Sequence, residues 1–241
     1  MRRPAARRRK PRRANSPRLE TEMKHEALRH EIVARCIEMN ARGINQGTSG
    51  NISVRVPKGF LITPSGMAYD ETKPADIVLM RLDGSHVGRR KPSSEWRFHR
   101  DLMATRPEIG AVVHTHSMFA TTLSCLGMGI PAVHYMIAAT GASSIRCAPY
   151  ATYGTQETAD NALAALADCN ACLLANHGMI VVGPTLKKAM WLAIEVETLA
   201  AQYWRALQIG RPNILTDEQV QAVIEKFRTY GQAAETATGC C

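Results

Sequence analysis

The sequence contains no uninterrupted apolar run approaching the ~20 residues that a membrane-spanning helix requires, so we expect no transmembrane segment. It also lacks the apolar stretch of a secretory signal near its start, which argues against export. Seven cysteines, an odd number scattered over 241 residues, do not form the pattern of a disulfide framework. These absences together predict a cytoplasmic protein with free thiols.

Acidic residues are absent from the first 18 positions, which hold nine of the 30 basic side chains. The remaining 21 basic residues match the 21 acidic ones, so the net charge of +9 belongs to this tail. Blocks of like charge with little apolar surface are usually solvated. We predict a disordered basic tail at 1–22. Three interpretations stay open: a solvated extension, a nucleic-acid or surface-binding arm, or a stretch upstream of a true start at Met23.

Helical and strand periodicities alternate along the rest of the chain. The predicted strands lie at 52–56, 60–63, 77–82, 111–116, 171–175 and 180–182. The predicted helices lie at 28–37, 94–105, 155–167, 186–209 and 217–227. This interleaving predicts one α/β domain at 23–231, a central sheet covered by helices, and leaves the strand order open. Residues 232–241, which end in Cys240 and Cys241, are expected to form a C-terminal tail.

The strongest chemical signal is His114-Thr115-His116, at the end of a short apolar strand. Side chains at i and i+2 of a strand share a side, so both imidazoles can face one metal ion. Two half-buried histidines bonded to backbone would give the same pattern, so the pair alone leaves metal binding open. His177, in a turn after another apolar strand, adds a third imidazole. Three neutral imidazoles leave an open position on zinc, which indicates a catalytic site.

Glu95 is a fourth candidate, at a predicted helix start where Ser93 or Ser94 can cap the helix. The backbone N–H groups there attract anions, which suits a functional carboxylate. The helix dipole alone also favours a glutamate in the first turn, so both interpretations of Glu95 stay open.

Three turns of small residues, at 47–51, 63–66 and 92–94, expose backbone N–H groups and hydroxyls. Together such groups can build a phosphate cradle, although any one of these turns is more often only a turn. The lysine of the GxxxxGK[ST] nucleotide loop is absent, so that kind of nucleotide site is not indicated.

Longer stretches around these residues resemble the class II aldolase/adducin family, from Met23 to Gly231. The stretches, in chain order, are GINQGTSGNISVR, LITPSGMAY, PSSEWRFH, AVVHTHS, IPAVHYMIAATG, CAPYATYGT, NHGMIV and EKFRTYG. The resemblance implies a single α/β domain with a central, largely antiparallel β-sheet covered by helices. It also implies a homotetramer with sites at the subunit interfaces, and one Zn²⁺ per subunit.

The resemblance further implies roles for individual residues. The family's zinc ligands match His114, His116 and His177. Glu95 matches a ligand of the free enzyme that swings away to act as acid/base. The family's phosphate-binding positions match Gly50, Asn51, Ser65, Gly66, Ser93 and Ser94. Tyr135 matches a catalytic tyrosine from the neighbouring subunit, and Tyr230 one on a mobile C-terminal segment. Tyr153 stands where the closest relatives carry phenylalanine, which puts the aldehyde specificity in doubt.

The activity implied is that of a lyase that reversibly cleaves L-fuculose 1-phosphate, or a close sugar 1-phosphate, to dihydroxyacetone phosphate and L-lactaldehyde. Alternatives with the same fold are another sugar-phosphate aldolase, a dehydratase, and a pentulose-phosphate 4-epimerase, where aspartate replaces Glu95. The non-enzymatic alternative is an adducin-like association domain, in which the metal ligands are lost. A nucleic-acid binder is disfavoured because the folded part is formally neutral.

Overall fold

A computed structural model of the chain describes residues 25–229. Tyr230 and the predicted tails at 1–22 and 232–241 lie outside these residues. The helices are α1 (Glu26–Ala41), α2 (Trp96–Thr105), α3 (Met118–Cys125), α4 (Gln156–Ala165), α5 (Leu186–Ile209) and α6 (Asp217–Arg228), with 3₁₀ turns at Pro74–Asp76 and Tyr135–Thr140. No helix in the described part of the chain has the length and hydropathy needed to cross a membrane.

Eight strands form one sheet in the order β4-β3-β2-β1-β5-β8-β7-β6. They are β1 (Asn51–Val56), β2 (Gly59–Ile62), β3 (Val78–Arg81), β4 (His86–Val87), β5 (Ala111–Thr115), β6 (Arg146–Ala148), β7 (Ala171–Leu174) and β8 (Gly178–Gly183). Neighbouring strands are antiparallel throughout, except that β6 and β7 are parallel. The predicted α/β fold with a largely antiparallel sheet is confirmed. The short elements α3, β4 and β6 were not predicted.

The two faces of the sheet carry separate apolar cores because side chains alternate along each strand. Val54 of β1 belongs to the core covered by α1, α3, α5 and α6. Val112 of β5 belongs to the opposite core, covered by α2 and α4. Period-2 alternation therefore places the polar residues Asn51, Ser53 and His114 on the face that α2 covers.

The strand register brings the predicted site residues together where the central strands β1, β5 and β8 begin or end. Asn51, the first residue of β1, pairs with His114 near the end of β5, and Thr115 pairs with Met179 at the start of β8. A Cβ on Gly178 would lie 2.4 Å from the Thr115 carbonyl oxygen, so glycine is required for β8 to start this close to β5. The turn that precedes Gly178 is thereby held against the end of β5.

Candidate metal centre and active site

Three histidines converge at these strand ends. His114 is fully buried in β5, His116 follows the strand, and His177 lies in the turn before β8. One ring nitrogen of each lies within 4.8 Å of the others, and the ring centroids are 4.8–4.9 Å apart. The Nε2 atoms of His114 and His116 are 3.0 Å apart. Such convergence of imidazole nitrogens is the donor arrangement that divalent transition metals take in proteins.

The tautomer of His114 suits a metal ligand. Its Nδ1 lies 2.9 Å from the backbone oxygen of Met179. A carbonyl oxygen can only accept, so the Nδ1 atom carries the proton and donates it to Met179. The lone pair of Nε2 then faces His116 and His177, as in histidine ligands whose second nitrogen is held by a backbone carbonyl.

Glu95 completes the cluster from α2. It is the N-cap residue and is 6% exposed, and the helix begins at Trp96, two residues later than predicted. Its Oε2 lies 3.2 Å from His114 Nε2, and its Oε1 lies 3.2 Å from His177 Nε2. The Oε1 atom is buried and accepts no hydrogen bond from the described residues. A bound cation would satisfy such an oxygen, so these four side chains fit a divalent metal.

Electrostatics favour the metal-binding forms of Glu95 and His116. Burial alone would raise the pKa of Glu95, but the imidazoles of His114 and His177 outweigh it and hold that pKa well below its ordinary value. Burial lowers the pKa of His114, yet the Glu95 carboxylate more than offsets it, so the net shift is upward. Burial, then the neighbouring His114, lowers the pKa of His116 to about 4. Glu95 is therefore ionised and His116 neutral near neutral pH.

Glu95 is linked to a network of buried, hydrogen-bonded side chains. Asn51 Nδ2 donates to Glu95 Oε2 over 2.9 Å, and Asn51 Oδ1 lies 2.5 Å from His99 Nε2. Ser53 Oγ lies 2.7 Å from His99 Nδ1. Burial first, then the nearby charge of His114, lowers the pKa of His99 to about 3, so this ring is neutral. The sequence pattern did not single out His99 as a site residue, although its i,i+4 spacing from Glu95 was a usable signal.

Two of the three predicted phosphate turns lie side by side. The Ser65 N–H donates to the Lys91 carbonyl (3.1 Å), and the Ser93 N–H donates to the Thr63 carbonyl (2.9 Å). Ser93 also reaches Glu95, because its Oγ accepts the Glu95 N–H over 3.3 Å. The predicted phosphate-binding residues that stay exposed here are Ser65, Gly66 and Ser94. The two turns therefore form one polar surface beside the start of α2.

The third predicted phosphate turn meets β5. Gly50 adopts φ +72°, and a Cβ there would lie 2.7 Å from the His114 carbonyl oxygen. The next residue, Asn51, is 3% exposed, and both of its polar side-chain atoms are already engaged, by Glu95 and His99. A phosphate would reach Asn51 through the second Nδ2 hydrogen or after Glu95 moves away.

Tyr135, one of the predicted catalytic tyrosines, is not part of this cluster of described residues. Tyr135 is 49% exposed, and its ring lies against His134 with centroids 4.6 Å apart. Within residues 25–229, no hydrogen bond joins Tyr135 to the three converging histidines. Tyr153 is 65% exposed, in a turn tied to α2 because Arg97 donates to the Gly154 carbonyl (2.5 Å). Tyr230 lies outside the described residues.

Comparison with known proteins finds relatives that match most of the chain. Residues 30–204 match the family model described as Class II Aldolase and Adducin N-terminal domain. The chain is 54% identical over 209 residues to the 5-methylthioribulose-1-phosphate/5-deoxyribulose-1-phosphate aldolase of Rhodospirillum rubrum, covering 87% of this chain and 95% of that protein. It is 47% identical over 214 residues to the L-fuculose phosphate aldolase of Escherichia coli K12, covering 88% and 100%.

A solved structure of an L-fuculose 1-phosphate aldolase superposes with a TM-score of 0.84 at 39% identity, covering 86% of this chain and 99% of that one. A solved structure of YgbL from Klebsiella pneumoniae, titled a putative aldolase/epimerase/decarboxylase, superposes with a TM-score of 0.75 at 32% identity, covering 82% and 98%. The matched region spans most of both chains in each case. The chain therefore belongs to the class II aldolase and adducin family.

Proposed function

We propose that this chain is a zinc-dependent aldolase that cleaves a ketose 1-phosphate to dihydroxyacetone phosphate and an aldehyde, with one ion per subunit. The observation that carries the proposal is the convergence of His114, His116 and His177 with Glu95, whose carboxylate oxygens lie 3.2 Å from two of the ring nitrogens. A metal ion bound there supplies a Lewis acid that polarises the substrate carbonyl. The same convergence disfavours an adducin-like association domain, which needs no such site.

Glu95 moves the proton at the carbon next to the carbonyl. Cleavage leaves an electron pair on C3; the Glu95 carboxylate takes up one proton from water and passes it to that carbon, and in condensation it removes the same proton. A second group takes the proton of the C4 hydroxyl as the bond breaks. Tyr135, from a neighbouring subunit, and Tyr230 are the proposed groups. One proton leaves the C4 oxygen and one is added to C3, so the reaction balances without an oxidant or reductant.

The phosphate is held by the three small-residue turns. The proposed contacts are Gly50, Asn51, Ser65, Gly66, Ser93 and Ser94. The N–H groups of Ser65 and Ser93 already donate between the turns, so the proposed donors are the hydroxyls and the other backbone N–H groups, which need no lysine or arginine. Fixing the phosphate end places the reacting carbons beside Glu95, so binding energy from a remote group is used for orientation.

The preferred substrate is proposed to be a 5-deoxy- or 5-methylthio-pentulose 1-phosphate. The 54% identity to the Rhodospirillum rubrum aldolase supports this choice. The 47% identity to the Escherichia coli protein supports L-fuculose 1-phosphate as the second candidate. The three substrates share the phosphorylated end and differ in the aldehyde released: acetaldehyde, methylthioacetaldehyde or L-lactaldehyde. Discrimination must therefore come from residues at the aldehyde end, where we place Tyr153.

The test is release of dihydroxyacetone phosphate from each of the three substrates, with zinc content measured on the same samples. Glu95→Gln should keep its zinc and lose about 10²–10⁴-fold in kcat. The matched control is Glu157→Gln, because Glu157 also lies at a helix start, in the first turn of α4, but is exposed. A wild-type protein without metal, or Glu95→Gln with wild-type kcat, would refute the proposal. A zinc-loaded protein inactive on all three substrates would refute the substrate class alone.

The assembly is proposed to be a cytoplasmic homotetramer with its sites at the subunit interfaces. The exposure of Tyr135, and the absence within residues 25–229 of a hydrogen bond from it to the three histidines, support this arrangement. The proposal therefore assigns Tyr135 to the site of another copy.

A further inference from the structure

Glu95, Asn51, His99 and Ser53 form a buried hydrogen-bond network. The proposed acid/base chemistry uses only Glu95, so it does not account for the other three residues. Asn51 and Ser53 are two positions apart on β1, so both point to the face under α2. Glu95 and His99 are four positions apart at the start of α2, so both point to the sheet. His99 is 0% exposed, and both of its ring nitrogens depend on these partners for hydrogen bonds.

The charge on Glu95 determines which group donates and which accepts in each hydrogen bond of this network. An ionised carboxylate only accepts, so the Asn51 atom that lies 2.9 Å from Glu95 Oε2 is the amide nitrogen. Asn51 Oδ1 then faces His99 and needs a donor, which is Nε2–H at 2.5 Å. The remaining nitrogen of the neutral ring accepts from the hydroxyl of Ser53 at 2.7 Å. If the Asn51 amide were rotated by 180°, Oδ1 would face the Glu95 carboxylate, so two acceptors would meet. Nδ2 would then face the Nε2–H group of His99, so two donors would meet.

We propose that His99 is a positioning residue whose Nε2–H group fixes the Asn51 amide with Nδ2 toward Glu95, and so holds the Glu95 carboxylate among the three histidines. The effect on metal binding rests on the proposed function. The orientation of the Asn51 amide does not, because the hydrogen bonds that set it involve no metal. The same orientation presents a donor to any anion in the site, whether the Glu95 carboxylate or a substrate phosphate.

Three variants separate positioning from packing. His99→Phe keeps a ring of similar size and removes both nitrogens, which leaves Asn51 Oδ1 without its donor. His99→Gln keeps an N–H donor on a side chain of similar reach, so it serves as the rescue variant. His30→Gln is the matched control, because the side chain of His30 is 65% exposed on α1, on the far side of the sheet from α2.

The first measurement is the tautomer of His99 in the apoprotein, by NMR of ¹⁵N-labelled histidine near neutral pH. The signal is assigned by its absence from His99→Gln. We expect a protonated Nε2 and a bare Nδ1. This readout needs neither metal nor substrate.

The second measurement is zinc affinity by chelator competition. We expect His99→Phe to bind zinc about 10–100-fold more weakly than wild type, and His99→Gln to recover most of the loss. The visible spectrum of Co²⁺-substituted His99→Phe should shift toward that of Glu95→Gln. A side chain that only fills space would change thermal stability and leave this spectrum alone.

An Nδ1-protonated ring would overturn the proposal. So would a folded His99→Phe that binds zinc as tightly as His30→Gln. If His99→Phe does not fold, Ser53→Ala takes its place, since it removes the hydroxyl that donates to His99 Nδ1; unchanged zinc affinity there is the contrary result. A wild-type protein that binds no zinc would refute the proposed function. The tautomer of His99 measured by NMR would then still show whether His99 orients the Asn51 amide.

Discussion

Gly50 shows how closely the backbone must approach a candidate ligand in this protein. Its φ is +72°, and a Cβ would lie 2.6 Å from Asn45 Oδ1 and 2.7 Å from the His114 carbonyl oxygen. The Tyr69 hydroxyl donates to the Gly50 carbonyl over 2.8 Å and holds the turn in place. A side chain at this position would therefore clash with His114, a strand residue whose imidazole is fully buried.

We predict that Gly50→Ala lowers the free energy of unfolding by about 1–3 kcal/mol and weakens zinc binding. The control is Gly47→Ala, because Gly47 shares the positive φ (+59°) but a Cβ there would meet no atom within 4 Å. It carries the backbone strain without the contact with His114. Denaturant unfolding and chelator competition measure the two effects. Equal losses of zinc affinity in both variants would show that the clash with His114 is irrelevant.

Among the structural elements, the segment before Ser93 depends on one buried carboxylate. Asp76, in the 3₁₀ turn before β3, is 2% exposed. It accepts the Lys73 N–H over 3.0 Å, and hydrogen bonds from Arg89 (2.7 Å) and Arg90 (2.8 Å). Burial raises the pKa of Asp76, but the bonds from Arg90, Lys73 and Arg89 outweigh it and the net shift is downward. The carboxylate therefore ties the approach to the phosphate turn onto β3.

We predict that Asp76→Asn destabilises the protein by about 1 kcal/mol at neutral pH, since both arginines are half-exposed and solvent screens the pairs. Because the folded pKa lies below the unfolded value of about 3.9, this stabilisation is complete above that value. It is lost as the pH falls through the folded pKa. Unfolding free energies of both proteins across this range should converge in acid.

The control for Asp76 is Asp83→Asn, an exposed aspartate of the same region that accepts the Ser85 N–H over 2.8 Å. Its removal should leave the unfolding free energy nearly unchanged at neutral pH. A difference between wild type and Asp76→Asn that stays constant from neutral to acid pH would contradict the ionic origin of the effect.

At the scale of the whole molecule, the role proposed for Tyr135 would make assembly a condition for activity. If Tyr135 acts across an interface, a subunit carrying Glu95→Gln can supply its tyrosine to a subunit carrying Tyr135→Phe. We predict that each variant alone loses about 10²-fold or more in kcat, and that mixed, reassembled subunits recover a fraction of wild-type activity. Light scattering on the same samples measures the oligomeric state.

The control for this mixing experiment pairs Glu95→Gln with the double variant Glu95→Gln/Tyr135→Phe, which leaves no complete site in any arrangement. Recovery there would point to contamination. No recovery in the test mixture, although both variants form tetramers, would place Tyr135 and Glu95 in the same subunit's site. A monomeric wild-type protein with full activity would refute the assembly.

The sequence by itself determined the elements with strong periodicity and the residue types of the site. The α5 helix begins and ends where its apolar pattern predicts, at Leu186 and Ile209. The pair His114 and His116 needed only the period of a strand to be placed on one side. The elements that were missed have between two and eight residues, as in β4 and α3, which is too short for a periodic pattern to show.

Only the tertiary structure decided which distant residues share the site. Asn51 and His99 are 48 positions apart, and His114 and Met179 are 65 apart. Their contacts depend on strand register and on the packing of α2 across β1, which no local pattern encodes. The neutral state of His99 likewise follows from full burial. Its donor role was therefore invisible in the sequence, because it depends on which groups the fold removes from water.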